Sequence, residues 1–212
     1  MNPVYFLGWF FFRLMYAVYF HWRVYNPERV PLKGGVILAS NHASFLDPPI
    51  VGSGVHRPIN YLARQSLFRY PGIGWLLRQW NSVPVDRDGG GAAGLKAILD
   101  RLLDGGAIIL FPEGTRTKDG KLQPARSGIG LTVIKSEAVV IPCRTFGTYE
   151  CYNKKFHFHM PIRLSVKYGK PMMFEALRAE AKTCSKPRLK EIYQQIADEI
   201  MAEIAKLEPK AD

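Results

Sequence analysis

The chain has 212 residues, 47% of them apolar and 12% aromatic, enough for one domain with a real hydrophobic core and too few for two independent ones. Its 29 lysines and arginines against 18 acidic residues give a formal charge of +11, so the folded protein should keep anionic company, whether nucleic acid, an anionic bilayer or phosphorylated substrates. The basic residues are spread along the chain with no zinc finger or aromatic RNP strand among them, which argues against nucleic acid. Cys143, Cys151 and Cys184 are odd in number and lack zinc-ligand or redox-pair spacing, which excludes a disulfide framework and fits a reducing compartment.

In chain order, residues 4–20 read VYFLGWFFFRLMYAVYF, apolar almost throughout apart from Arg13. Neither a basic start nor a small-residue cleavage site marks it as a secretory signal. The run is at the short limit for the roughly 30 Å hydrocarbon layer, and an arginine near its middle costs about 2.5 to 3.5 kcal/mol on insertion. A helix lying in one leaflet is therefore expected, with Trp9, Tyr16, Tyr19, Trp22, Arg13 and Arg23 at the headgroup boundary. The alternative is a helix that packs on the domain's own core. Pro27 and Pro31 mark a change of character, so residues 1–26 are expected to form a membrane-associating helix and residues 27–212 the main folded domain.

From there, short apolar runs alternate with amphipathic stretches, the pattern of an α/β domain with a central, mostly parallel or mixed sheet flanked by helices. Strands are predicted at 36–40, 60–64, 82–85, 107–111, 139–143 and 163–168. The clearest helices are 92–104, where Leu95, Ile98, Leu99, Leu102 and Leu103 recur before Gly105-Gly106, and 189–207, with Leu189, Ile192, Tyr193, Ile196, Ile200 and Ile204 on one stripe.

Asn41-His42-Ala43-Ser44-Phe45-Leu46-Asp47 follows the first of these strands directly, where α/β folds place their active groups. His42 and Asp47 would sit on separate faces of one continuous helix, so their pairing requires a turn at His42 and a helix beginning after it. With Ser44 as N-cap, Asp47 becomes N3 of a capping box and its carboxylate points back at the histidine. Such a histidine has a defined tautomer and one nitrogen free to take a proton. A plain helix cap beside an ordinary loop histidine would use the same residues.

The strand at 107–111 runs into Phe111-Pro112-Glu113-Gly114-Thr115-Arg116. Its glycine lets backbone approach a ligand, and Arg116 offers a planar fork for phosphate oxygens. A solvated turn with Glu113 and Arg116 paired to each other is the competing use. Two further patterns carry less. Gly89-Gly90-Gly91-Ala92-Ala93-Gly94 matches a dinucleotide fingerprint, but Asp86 and Asp88 stand where a pyrophosphate would lie. His157 and His159 alternate along a strand, and two ligands do not make a metal site.

On Asn41-His42 with Asp47, on Phe111 to Arg116, and on their order and separation, the chain resembles the glycerophospholipid acyltransferases, in particular the bacterial 1-acylglycerol-3-phosphate acyltransferases. Val83-Pro84-Val85-Asp86-Arg87 resembles that family's second block, and the stretch around Pro142 its hydrophobic fourth block. The resemblance implies that His42 is the general base and Asp47 its orienting partner. It implies that Arg87 and Arg116 bind the acceptor phosphate and that Glu113, Gly114 and Thr115 shape the acceptor pocket. Where the family often has Phe-Lys before a glycine, this chain has Ala125-Arg126, which keeps the charge on a different phosphate ligand.

The implied reaction is direct transfer, without cofactor, metal or acyl-enzyme, from acyl-CoA or acyl carrier protein to the 2-hydroxyl of 1-acylglycerol 3-phosphate, giving phosphatidate. Its setting would be an anionic membrane surface, on the cytoplasmic face of the inner membrane. Another lysolipid acceptor, a nucleotide-binding role and a purely membrane-binding module are the alternatives. The last would leave His42, Asp47 and the block at 111–116 without a purpose.

Overall fold

The computed structural model describes residues 2–85, 92–152 and 163–212. In chain order it runs α1 (Pro3–Phe20), β1 (Arg23–Tyr25), β2 (Val36–Ser40), α2 (Asp47–Ser53), β3 (Ile59–Arg64), α3 (Pro71–Gln79), β4 (Ser82–Val85), α4 (Ala92–Leu103), β5 (Ala107–Leu110), α5 (Gly128–Ser136), β6 (Val139–Phe146), α6 (Thr148–Cys151), β7 (Ser165–Tyr168), α7 (Glu175–Ala181) and α8 (Lys186–Lys206). Single 3-10 turns lie at Pro27–Arg29 and Gln65–Arg69.

The strands form one mixed sheet in the order β1-β7-β6-β2-β5-β3-β4. Every neighbouring pair is parallel except β6 with β7. All five residues of β2 are buried, and the pleat sends them alternately to two cores. Val36 and Leu38 meet Tyr16, Phe20, Ile50 and Val51 on one face. Ile37 and Ala39 meet Leu102, Val133, Ile192, Ile196 and Ile200 on the other. The expected three-layer α/β architecture is thus present, with each predicted strand and both predicted helices in place to within a few residues.

β1 lies on the N-terminal side of the boundary expected at residue 26 and pairs with β7, Val24 opposite Val166. Asn2 caps α1 through its side-chain oxygen, which accepts the Tyr5 N–H at 2.7 Å. One side of α1 buries Tyr5, Tyr16 and Phe20; the other exposes Phe6, Leu7, Phe10, Phe11, Leu14 and Val18.

Four members of the expected headgroup belt face the domain instead, Trp22 among them, packed on the core. Tyr16 is fully buried, the Trp9 indole donates to the Val55 carbonyl at 3.1 Å, and Arg13 Nη1 donates to the Ser53 carbonyl at 2.7 Å. The physical reason is the end of α2 and the chain just past it, where the Ser53 and Val55 carbonyls need donors that α1 supplies. Arg13, sandwiched between Trp9 and Trp22, therefore places no charge on the outward face.

Candidate active site

Beginning at β2, the chain first visits β3, β4 and β5 on one side, then crosses to β6 on the other. The carboxyl ends of β5, β2 and β6 lie side by side at this switch of direction, the usual location of a site in such sheets. Parallel register sets Ala39 beside Leu110 and Ser40 beside Cys143. The segment after β2, the segment after β5 and the last turn of β6 therefore converge.

His42 and Asp47 meet as the sequence predicted, Nδ1 to Oδ2 at 3.0 Å. The Asp47 carboxylate is fully buried. Its Oδ2 also accepts the Ala43 and Ser44 backbone N–H groups, both at 2.6 Å, and its Oδ1 accepts the Thr145 hydroxyl at 3.0 Å. These donors fix the carboxylate in place and offset the penalty of burying it. Phe111 stacks on the imidazole with ring centroids 3.8 Å apart. With Nδ1 turned to Asp47, Nε2 is the nitrogen left to exchange a proton with substrate.

The capping detail differs from expectation. α2 starts at Asp47 with Leu46 at its N-cap position, and no side chain caps it. The Ser44 hydroxyl donates to the Tyr152 carbonyl and accepts the Leu46 N–H at 3.1 Å, folding residues 44–46 into a turn. Only the half of the box that runs from Asp47 back to the Ser44 N–H survives. Pro48 and Pro49 fall in the first turn, where an N–H has no helical partner.

Glu113 is buried and ties the two segments together: Oε1 accepts the His42 N–H at 2.8 Å and Oε2 the Gln123 N–H at 3.1 Å. It is not paired to Arg116 in the way the solvated-turn reading required. The Thr117 N–H donates to the His42 carbonyl at 2.9 Å, so His42 is gripped by its backbone from both sides. Burial pushes the Glu113 carboxyl up to about 7, against the opposing pull of its two backbone hydrogen bonds.

The folded protein thus holds a proton on Glu113 between about pH 4.5 and 7 that the unfolded chain releases, so this group lowers stability as pH rises through that window. The Tm of the wild type is expected to fall between pH 5 and 8 relative to that of Glu113→Gln, by no more than about 3 kcal/mol in stability. Parallel Tm curves for the two proteins would contradict this.

Of the remaining predicted residues, Gly114, Thr115 and Arg116 lie on the segment after β5, and Arg126 packs against Gly114. Gly114 adopts φ +70°, a left-handed conformation that calls for glycine, whereas the exposed Arg126 side chain that a Cβ would meet at 2.9 Å is flexible and can move aside. Thr115 is exposed, as is Arg126, whose backbone N–H donates to the Pro112 carbonyl at 2.9 Å. The Arg116 guanidinium lies 3.4 Å from the centre of the Phe45 ring, a cation–π contact joining the two segments. Arg87, the glycines 89–91 and the histidines 157 and 159 fall outside the described residues.

Sequence reasoning missed Thr145, Gln123 and Thr117, and it assigned no role to the Asn41 side chain. Asn41 Oδ1 accepts the Thr145 N–H at 2.8 Å and its Nδ2 donates to the Thr145 carbonyl at 3.4 Å. It thereby continues the β2–β6 ladder with a side chain where the backbone of β2 turns away. The asparagine before the histidine was the available signal for this; a single threonine gives none.

Residues 21–145 match the family model described as Acyltransferase. The chain is 31% identical to a 1-acyl-sn-glycerol-3-phosphate acyltransferase of Bacillus subtilis, over 57% of this chain and 60% of that protein. It is 30% identical to the enzyme of that name from Borreliella burgdorferi, over 68% of this chain and 58% of that one. The chain therefore spans less than two thirds of the length of these relatives. The crystal structure of PlsC, the 1-acyl-sn-glycerophosphate acyltransferase of Thermotoga maritima, superposes with a TM-score of 0.70 at 23% identity, covering 99% of this chain and 81% of that one. With its fold matched over nearly its whole length and the family model spanning the sheet from β1 to β6, this chain belongs to the acyltransferase family.

Proposed function

We propose that the protein transfers a fatty acyl group from an acyl thioester, carried by coenzyme A or acyl carrier protein, to the 2-hydroxyl of 1-acylglycerol 3-phosphate, forming phosphatidate. The observation that carries this reading is the His42–Asp47 pair, held at 3.0 Å beside the glycine- and arginine-bearing segment at 111–116. The names of the relatives from Bacillus subtilis and Borreliella burgdorferi support the acceptor.

His42 Nε2 removes the proton of the 2-hydroxyl as its oxygen attacks the thioester carbonyl. The tetrahedral intermediate collapses with cleavage of the carbon–sulfur bond, and the departing thiolate recovers the proton from the imidazolium. Asp47 stabilises the imidazolium between these events. Arg116, Arg126 and Arg87 bind the acceptor phosphate, and no cofactor enters.

Membrane association follows from α1, the one helix among the described residues long and apolar enough to cross a bilayer. Because its Arg13 face is engaged by α2, we place it flat in the interface of an anionic, cytoplasmic leaflet with Phe10, Phe11 and Leu14 in the acyl region. The Phe10→Ser, Phe11→Ser, Leu14→Ser triple variant is expected to lose about a hundredfold or more in partitioning onto anionic vesicles. Co-sedimentation equal to the wild type would remove α1 from the membrane contact.

An acyl-transfer assay in detergent, run over a panel of lysolipids with both donor types, tests the acceptor. Preference for the 3-phosphate acceptor is the expected result; equal or better use of neutral or choline-bearing lysolipids would contradict it.

A further inference from the structure

The Asp47 carboxylate receives its donors unevenly. Oδ2 takes the imidazole and two backbone N–H groups. Oδ1, equally buried, has as its hydrogen-bond donor among the described residues only the Thr145 hydroxyl. That hydroxyl has a second acceptor within reach, Asn41 Oδ1 at 3.2 Å, but this amide oxygen already holds the Thr145 N–H at 2.8 Å. One proton choosing between a satisfied amide oxygen and a buried anion goes to the anion. The Thr148 hydroxyl, 3.5 Å away, can donate in turn to Thr145 Oγ1.

The Thr145 backbone cannot drift, because Asn41 grips both its N–H and its carbonyl and β7 pairs with it through Val166. The hydroxyl is therefore a fixed point, set by the register of β6 on β2, against which the carboxylate plane is locked. We infer that Thr145 is a positioning residue for acyl transfer, acting through Asp47 Oδ1 to hold Oδ2 in line with His42 Nδ1. This rests on the acyl-transfer reading for its rate consequence and on geometry alone for its effect on the imidazole.

Two measurements test it. In the transfer assay, Thr145→Val keeps the side-chain shape and loses the donor, so kcat is expected to fall about ten- to a hundredfold, with the acceptor KM within about twofold of wild type. Thr145→Ser is expected to restore most of the rate. In 15N-histidine-labelled protein, wild-type His42 is expected to show one tautomer with the proton on Nδ1, and Thr145→Val a mixture. Thr145→Ala, which cannot crowd the carboxylate, serves both measurements should the valine variant fail to fold.

Retention of kcat in the valine variant, a loss confined to KM, or a serine variant as slow as the valine one would overturn the inference. So would an unchanged His42 tautomer. If the wild type transfers nothing to any lysolipid, the functional reading falls by itself, and the tautomer spectrum still decides the role of Thr145.

Discussion

Replacing His42 by alanine is expected to reduce acyl transfer by at least about a thousandfold while leaving the Tm within a few degrees of wild type. The rate prediction follows because no other group described beside His42 is placed to act as the base. Asp47 is buried and engaged by the imidazole, two N–H groups and a hydroxyl, Glu113 is buried with one backbone N–H on each oxygen, and the Ser44 hydroxyl is spent on the Tyr152 carbonyl. The stability prediction follows because what holds this loop is backbone: the His42 N–H on Glu113, the His42 carbonyl on Thr117, and the Ala43 and Ser44 N–H groups on Asp47. Alanine keeps all four and loses the stack on Phe111 and the imidazole contact with Asp47. Residual activity above about a tenth of wild type would remove His42 from the chemistry.

Asp47→Asn is expected to be nearly as damaging to rate, by about a hundredfold or more, and milder to stability than the burial of Asp47 suggests. If the amide oxygen takes the place of Oδ2, it still accepts from Ala43, Ser44 and the imidazole. The amide nitrogen then faces Thr145 Oγ1, a hydroxyl that can accept its hydrogen and turn its own toward Asn41 Oδ1, already 3.2 Å away. One hydrogen of the buried amide is left without an acceptor in this arrangement, so the destabilisation should be about 1 to 3 kcal/mol. The imidazolium that forms during transfer loses its counter-charge, and that loss appears in kcat. A collapse of Tm with near-normal turnover would instead make Asp47 a structural residue.

Much of this site is legible in the sequence because its parts are local. A histidine just after a buried strand and a carboxylate a turn later suggest a pair that a plain helix cap would also explain, and the glycine-bearing turn at 111–116 is what gives that pairing its weight. The fold is legible for a similar reason: strands such as Val36–Ser40, buried on both faces, read as continuous apolar runs. Elements without periodicity escape. Arg23–Tyr25 has three residues and takes its place from β7 rather than from its own pattern. Pro71–Gln79 carries two glycines that mask a helix. Thr145 depends on register between strands distant in sequence, and β6 runs three residues past the expected end at Cys143 to reach it. Ser44 does not cap α2 as its position suggests, because its hydroxyl answers to Tyr152, a partner no local pattern reveals.

The central claim is that a thioester acyl group is moved to a lysolipid hydroxyl at the His42–Asp47 pair. Its most direct test is product analysis after incubating the purified protein with an isotopically labelled acyl thioester and 1-acylglycerol 3-phosphate in detergent. Labelled phosphatidate carrying the new chain at its 2-position, formed in step with free thiol, is the predicted result. Thiol release with labelled free fatty acid and no phosphatidate would contradict it.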